Sequence, residues 1–391
     1  MKTKQAAIPL GPLPELAPGA AVQFRQLKTP LYGHSLEAYA PGQIYYHPRG
    51  MTLPAAFAQE FATTYMDANP LYLNDPYARA HGFEGMLVSP LMVLNLALSL
   101  GVQNDSEQAI ANLGYYDVRF PRPVYPGDTL QAVTRILDVQ DKKDGKPGIV
   151  HLRTLGLNQR QEIVVHYDRK IMVGPRGEPV EKAPAQPWPY PELEELSMDL
   201  PPVPMTYPTD LTGRGTYFED FKPGMVIAHA NGRTITDEHL PWTYRLGNTH
   251  PLHYDRLYST RRQGAMSGEP IVYGGLVFAW LAGLASRDTT ENALLDLGYT
   301  EGYHTQPSVS GDTIYAISRV LATQELPGVE HAGVVSFQLI GVKGMSAREA
   351  IDTYAADLFK KEVDKKRLGK EKIPAKIFEI ERQVLLKKRP R

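Results

Sequence analysis

Asn248-Thr-His-Pro-Leu-His-Tyr-Asp255, followed by Gly268-Glu-Pro-Ile-Val-Tyr-Gly-Gly-Leu-Val-Phe-Ala-Trp-Leu-Ala-Gly-Leu284, is the stretch on which the reading turns. Its first eight residues hold two histidines, an amide and a carboxylate. A Gly-Gly turn then leads into an apolar helix that carries no charge from Leu276 to Leu284. A helix entered through glycines offers free backbone N–H groups at its mouth. Polar groups beside such a mouth suit a reaction that builds negative charge on an oxygen.

The stretch has a twin earlier in the chain. Asn69-Pro-Leu-Tyr72 lines up with His250-Pro-Leu-His253, and the apolar run Leu87 to Leu100 lines up with Ile271 to Leu284. Upstream, Leu36-Glu-Ala-Tyr-Ala-Pro-Gly42 matches Phe218-Glu-Asp-Phe-Lys-Pro-Gly224, and the same spacing pairs His47 with His229. Downstream, Leu113-Gly-Tyr115 meets Leu297-Gly-Tyr299, Gly127-Asp-Thr129 meets Gly311-Asp-Thr313, and Gly148 to Leu157 meets Gly333 to Val342. The offset drifts only between 181 and 185 residues. Such self-similarity marks an internal duplication, each copy long enough to be a domain.

Each copy reads as a short strand, a helical stretch (Pro54 to Met66; Asp237 to Leu246), a polar turn, the long apolar helix, then β-rich runs. The runs are Thr129 to Val139, Val150 to Leu157 and Ile163 to Val173, and then Asp312 to Leu321, Gly333 to Val342 and Ile377 to Leu386. One helix followed by consecutive strands predicts an α+β fold, a curved antiparallel sheet wrapped round a central helix. The expected organisation is an N-terminal arm (1–35), a first domain (36–173), a Pro-rich linker (174–213) and a second domain (214–391). Gly174 to Pro208 holds ten of the 33 prolines, which predicts an extended linker. The second copy carries an insertion at about 345–373, where Ser346-Ala-Arg-Glu349 predicts a capped helix running to about Lys366.

At 391 residues the chain can hold two cores, and 42% hydrophobic with 22% charged residues is ordinary for a soluble globular protein. A net charge of −1 gives no global attraction to nucleic acid or anionic membrane. The basic C-terminus aligns with a strand of the first copy and reads as a solvated strand face, so no nucleic-acid partner is expected. The absence of cysteine removes thiol chemistry and disulfides and fits a reducing compartment, here read as the cytoplasm. The most apolar window, Gly85 to Val102, is interrupted by Ser89, Pro90, Asn95 and Ser99, so it reads as a core helix and no membrane span is expected. No histidine has a paired carboxylate at ligand spacing on a helix, so no metal is expected.

Helix, strands and duplication together resemble a double hotdog protein of the MaoC-like dehydratase family. The family's hydratase signature is an Asp, a spacer, Asn-Pro, an apolar residue and His, followed by a Val-His-Gly entry to the hotdog helix. The first copy reads Asp67-Ala-Asn-Pro-Leu-Tyr72 and Val88-Ser-Pro90; the second reads Asn248-Thr-His-Pro-Leu-His253 and Val272-Tyr-Gly274. Neither copy keeps both the Asp and the His. Phe218-Glu-Asp-Phe, Gly247-Asn-Thr-His-Pro-Leu-His253 and Lys376-Ile-Phe-Glu-Ile-Glu-Arg382 bring it nearest to the mesaconyl-CoA hydratase (β-methylmalyl-CoA dehydratase) type.

The resemblance implies a hydro-lyase acting on an enoyl-CoA thioester, with CoA as part of the substrate and no separate cofactor. Acyl-CoA thioesterase and non-catalytic acyl-CoA binding are the competing readings, and a homodimer of double-hotdog chains is the expected assembly. Histidine exchanges protons near neutrality, which makes His253 the leading acid/base residue, with His250 or Asp255 able to share the task. Asn248 cannot take a proton but can hold water and orient the imidazole. Backbone N–H groups of Gly274 and Gly275 are placed to hold the thioester oxygen. The blander readings are turn-capping for His253, a structural role for His250, a helix N-cap for Asp255, and structural roles for His47 and His229. Asp67 belongs either to a degenerate first site or, if the halves meet there, to the working one. A single working site in the second half is expected.

Overall fold

The structure, a computed structural model, describes residues 11–12, 25, 27–142, 144–177, 180–198, 200, 210–261, 268–365 and 367–390. Residues up to Leu31 form a unit of their own, so most of the expected arm lies outside the described residues. In the second unit the first half runs β1 (Ile44–Thr52), α1 (Ala55–Thr64), α2 (Asp75–Ala80), α3 (Pro90–Gly101), β2 (Ala109–Arg119), β3 (Thr129–Gln140), β4 (Gly148–Leu157) and β5 (Ile163–Val173). The second half repeats the order as β6 (Val226–Thr234), α4 (Trp242–Arg245), α5 (Arg256–Thr260), α6 (Gly274–Thr289), β7 (Ala293–His304), β8 (Thr313–Glu325) and β9 (Ala332–Lys343). It then adds α7 (Ala347–Tyr354) and α8 (Glu362–Lys365) before β10 (Lys376–Lys387).

The strands pair antiparallel in one sheet, in the order β1-β3-β4-β5-β2-β7-β10-β9-β8-β6. Each half has the same internal order, and the halves join through β2 and β7, with Tyr115 opposite Gly302 and Val118 opposite Tyr299. Both joining strands are missing from the runs expected from sequence. Gly114 and Asp117 (φ 50°) interrupt β2, Gly298 and Gly302 interrupt β7, and the pairing slips at several points, which blurs the alternation that marks a strand.

The central helices α3 and α6 lie against one another inside the sheet. Eleven of the twelve residues of α3 are buried, and α6 is buried from Gly275 through Ser286. Asn95 Nδ2 donates to Leu91 O (2.9 Å) in its own helix and to Gly275 O (3.2 Å) across the contact. A methyl group on Gly275 would run into the Asn95 side chain, so this glycine sets how closely the helices approach. One hydrophobic cluster consequently spans both halves, from Leu91 and Leu96 to Phe278 and Trp280.

The outer faces of the two halves are covered differently. Trp188, Tyr190 and Leu196 of the linker pack on Val133, Leu155 and Leu157. The matching positions of the second half, Ile317, Ile340 and Val342, are covered by Ala347, Ala350 and Leu358 of the insertion. The described part of the linker thus lies as a strap on the first half's sheet. The insertion helix is capped as expected, Ser346 Oγ accepting from Glu349 N–H. It stops at Tyr354, because Ala355 turns to φ 44° and the chain continues as a 3-10 turn, Ala355–Phe359, before α8. The expected end at Lys366 lies outside the described residues. The expected helix from Asp237 to Leu246 is likewise split, at Pro241, into a 3-10 turn and α4.

Candidate active site

The His-bearing turn is a 3-10 turn, Pro251–His253, ahead of α5. His250 caps it, its Nδ1 accepting from Leu252 N–H (3.2 Å), as Asn69 Oδ1 accepts from Leu71 N–H (3.0 Å) in the first half. With Nδ1 used as an acceptor, His250 carries its proton on Nε2, which donates to Ala109 O (2.9 Å) on β2. That leaves the ring no lone pair for proton transfer. The geometry therefore moves His250 from a shared acid/base role to framing the turn. Asp255 caps α5 by accepting from Tyr258 N–H (3.0 Å). His47 and His229 are tied to Thr134 (2.8 Å) and Ser318 (2.9 Å) in the sheet, which fits their structural reading.

His253 is arranged the other way. Its Nδ1–H donates to Ile271 O (2.9 Å), the strand-like residue leading into α6, so Nε2 keeps its lone pair. Burial pushes its pKa down to about 4, against the weaker opposing effect of that hydrogen bond. The imidazole is neutral at pH 7 and able to accept a proton. Asn248 is buried and accepts from His250 N–H through Oδ1 (2.9 Å), which fixes the amide and leaves Nδ2 without a protein acceptor among the described residues.

Asn248, His250, His253 and Gly274 all line one cavity of about 520 Å³. Gly274 opens α6, whose N-cap residue, Tyr273, makes no side-chain cap. Among the described residues the Gly274 N–H finds no acceptor, and Gly274 lines the same cavity as His253. Gly275 does not line the cavity; it faces α3 and its carbonyl is held by Asn95. Only the first of the two expected backbone donors therefore belongs to a residue on the cavity wall.

The same cavity holds residues that sequence reasoning missed. His304, the last residue of β7, sits over the helix mouth; a Cβ on Gly274 would lie 2.5 Å from its Cε1. His304 Nε2 is 3.2 Å from the hydroxyl of Tyr115 on β2. Burial, and then the neighbouring His253, push the His304 pKa down to about 4, while burial pushes Tyr115 up to about 12. The first half also contributes Leu98, Ser106 and Arg169 to the wall. A site at the seam of two halves leaves no local motif. The one available signal was asymmetry, since Phe120 stands where the repeat has His304.

Asp67 is not brought to this cavity. It lines a separate void of about 10 Å³ with Asn69, Tyr72, Asp296 and Arg382, room for about one water. Tyr72 occupies the place of His253, and Pro90, which has no N–H, the place of Gly274. Burial raises the Asp67 pKa to about 6. The expectation that Asp67 could join the working site fails because each half's turn faces the other half's strands, which keeps the two sites apart. Among the described residues no group of three or more His, Asp or Glu is placed to hold a metal, and no helix is long and apolar enough to cross a membrane.

Two central helices inside one sheet, with a histidine turn at a glycine-led helix mouth, define a double hotdog protein of the MaoC-like dehydratase class. The sequence model of mesaconyl-CoA hydratase matches residues 21–347, and the chain belongs to that family. Beta-methylmalyl-CoA dehydratase from Chloroflexus aurantiacus is 32% identical over 321 residues, spanning 80% of this chain and 88% of the relative. Mesaconyl-CoA hydratase from Cereibacter sphaeroides is 32% identical over 323 residues, spanning 80% and 90%. Among solved structures, a MaoC domain protein dehydratase from Chloroflexus aurantiacus superposes with a TM-score of 0.75 at 29% identity, covering 91% of this chain and 98% of its own. A Mycobacterium tuberculosis protein with a double hotdog fold superposes at 0.65 with 21% identity, over 91% and 98%, which bears on the fold alone.

Proposed function

We propose that the protein is a hydro-lyase that adds water to, and removes it from, the double bond of an enoyl-CoA thioester, and that mesaconyl-CoA and β-methylmalyl-CoA are its substrate pair. The observation that carries this reading is that a neutral His253 with a free Nε2 and Gly274 with an unpaired N–H line one cavity of about 520 Å³. Family membership and the names of the relatives support it.

In the hydration direction, water held by Asn248 Nδ2 gives a proton to His253 Nε2 as its oxygen attacks the β-carbon. Electron density moves onto the thioester oxygen, which the Gly274 N–H and the N-terminus of α6 stabilise. His253 Nε2–H then gives its proton to the α-carbon, directly or through the His304–Tyr115 pair, and the enolate collapses to the hydroxyacyl thioester with His253 neutral again. Asn248 supplies no base, so a second proton carrier is useful, and the His304–Tyr115 pair stands at the same mouth. CoA enters as part of the substrate. A cytoplasmic enzyme assembled as a homodimer belongs to the same proposal; light scattering at twice the chain's 43.5 kDa tests the assembly.

The test is spectrophotometric, with crotonyl-CoA and mesaconyl-CoA. Loss of the enoyl absorbance without free thiol means hydration. Release of thiol means thioesterase chemistry, and no change with measurable binding means an acyl-CoA binding protein; either result overturns the reading.

A further inference from the structure

Arg169 on β5 is almost wholly buried, yet it lines the cavity. Its Nη2 donates to Asp105 Oδ1 (2.7 Å) and Ser106 Oγ (3.0 Å), which uses both hydrogens of that nitrogen. Its Nε is buried without a partner, and Nη1 has no acceptor among the described residues. A guanidinium anchored at one end and unsatisfied at the other is an incomplete site, because buried donors are ordinarily paired. It lies directly across the β2–β5 ladder from Tyr115, whose hydroxyl reaches His304 at the helix mouth. Arg169 therefore shares one cavity wall with Tyr115, His304 and the helix mouth.

Arg169 has one carboxylate, Asp105, whereas the matching arginine of the closed site, whose Nε is likewise unpartnered, has two acting on it. Arg382 occupies the matching place on β10 and is held by Asp296 (2.8 Å), with Asp67 close enough to act on it electrostatically. Asp67 is the counterpart of Asn248. Where the first half has a carboxylate from the turn, the open site has an amide, and no side chain of the turn competes for Arg169.

The geometry points to Arg169, supplied by the first half, as the specificity residue that binds a free carboxylate on the acyl group undergoing hydration at the second half's mouth. This rests on the hydratase reading and deepens it. A fork anchored through Nη2 suits a planar carboxylate better than an ammonium would. It also gives the first half a chemical reason to persist, beyond covering the sheet.

The test compares kcat/KM for mesaconyl-CoA, which carries a free carboxylate, with that for crotonyl-CoA, which does not. Arg169→Gln is made together with Asp105→Asn, so that no buried carboxylate is orphaned. The expected result is a loss of about 100-fold or more for mesaconyl-CoA and a change of less than about 5-fold for crotonyl-CoA. Arg169→Lys, which keeps the charge beside Asp105, should give the same ordering with a smaller ratio and guards against a double variant that fails to fold. Equal losses on both esters overturn the assignment while leaving hydration intact. A wild-type protein that hydrates neither ester overturns the hydratase reading and this assignment with it.

Discussion

Gly274→Ala separates the contribution of His304 from that of the backbone donor. The new Cβ would meet His304 at 2.5 Å (Cε1), 2.6 Å (Nε2) and 2.9 Å (Nδ1). Ordinary carbon contacts are about 3.5–4.0 Å, so the ring must retreat by about 1 Å. That retreat breaks its 3.2 Å contact with Tyr115. Overpacking costs about 1–3 kcal/mol, and alanine in place of glycine in a helix recovers about 0.5–1 kcal/mol. The net loss is about 1 kcal/mol, small enough for the protein to fold. The N–H donor survives, so a fall in turnover reports on the displaced imidazole; a 1 Å misplacement costs about 100-fold. The assay is steady-state hydration followed by enoyl absorbance, with a melting curve alongside. If kcat stays within about 3-fold of wild type, or if Gly274→Ala/His304→Ala recovers full activity, His304 has no part in the reaction.

Other expectations follow from the same geometry. Because His253 is held at about 4, the acid limb of the kcat/KM profile should fall nearer pH 4–5 than 6.5; a limb at 6–7 contradicts the burial argument. The stability linkage has a definite sign: for a histidine whose folded pKa is depressed, the unfolded chain binds more protons between about 4 and 6.5. Stability is therefore full above about 6.5 and falls as pH drops toward 4, by at most about 3 kcal/mol from His253, which denaturant titrations across that window check. Asp67→Asn should leave turnover within about 3-fold, and at pH 7 it should not lower the melting temperature, since a buried carboxyl raised to about 6 is ionised there at a cost. Gly275→Ala should destabilise by about 1–3 kcal/mol through the α3–α6 contact, visible as a lowered urea midpoint.

The duplication was legible because residues that fix a fold recur where the fold recurs. Asn69 and His250 cap the same turn, and the Gly-Asp-Thr segments occupy the same connections. The two central helices and eight of the ten strands were visible through their periodicity. Strands β2 and β7 were not, because glycines and bulges at the seam erase alternation where two halves must pass closely. The cavity-lining residues of one continuous stretch, Asn248, His250, His253 and Gly274, were legible for the same reason. His304, Tyr115 and Arg169 reach the cavity from other strands, two of them from the other half, and only the sheet order brings them there. His250 was ambiguous for a different reason, since its role depends on which ring nitrogen accepts a hydrogen bond.

The claim that one site per chain works, and that it is the one at the mouth of α6, is tested most directly by the single-turnover rate of His253→Ala with mesaconyl-CoA. Removing the His253 imidazole with its free Nε2 should slow hydration by about 10³-fold, with binding of the thioester little changed. Hydration at close to the wild-type rate would place the chemistry elsewhere.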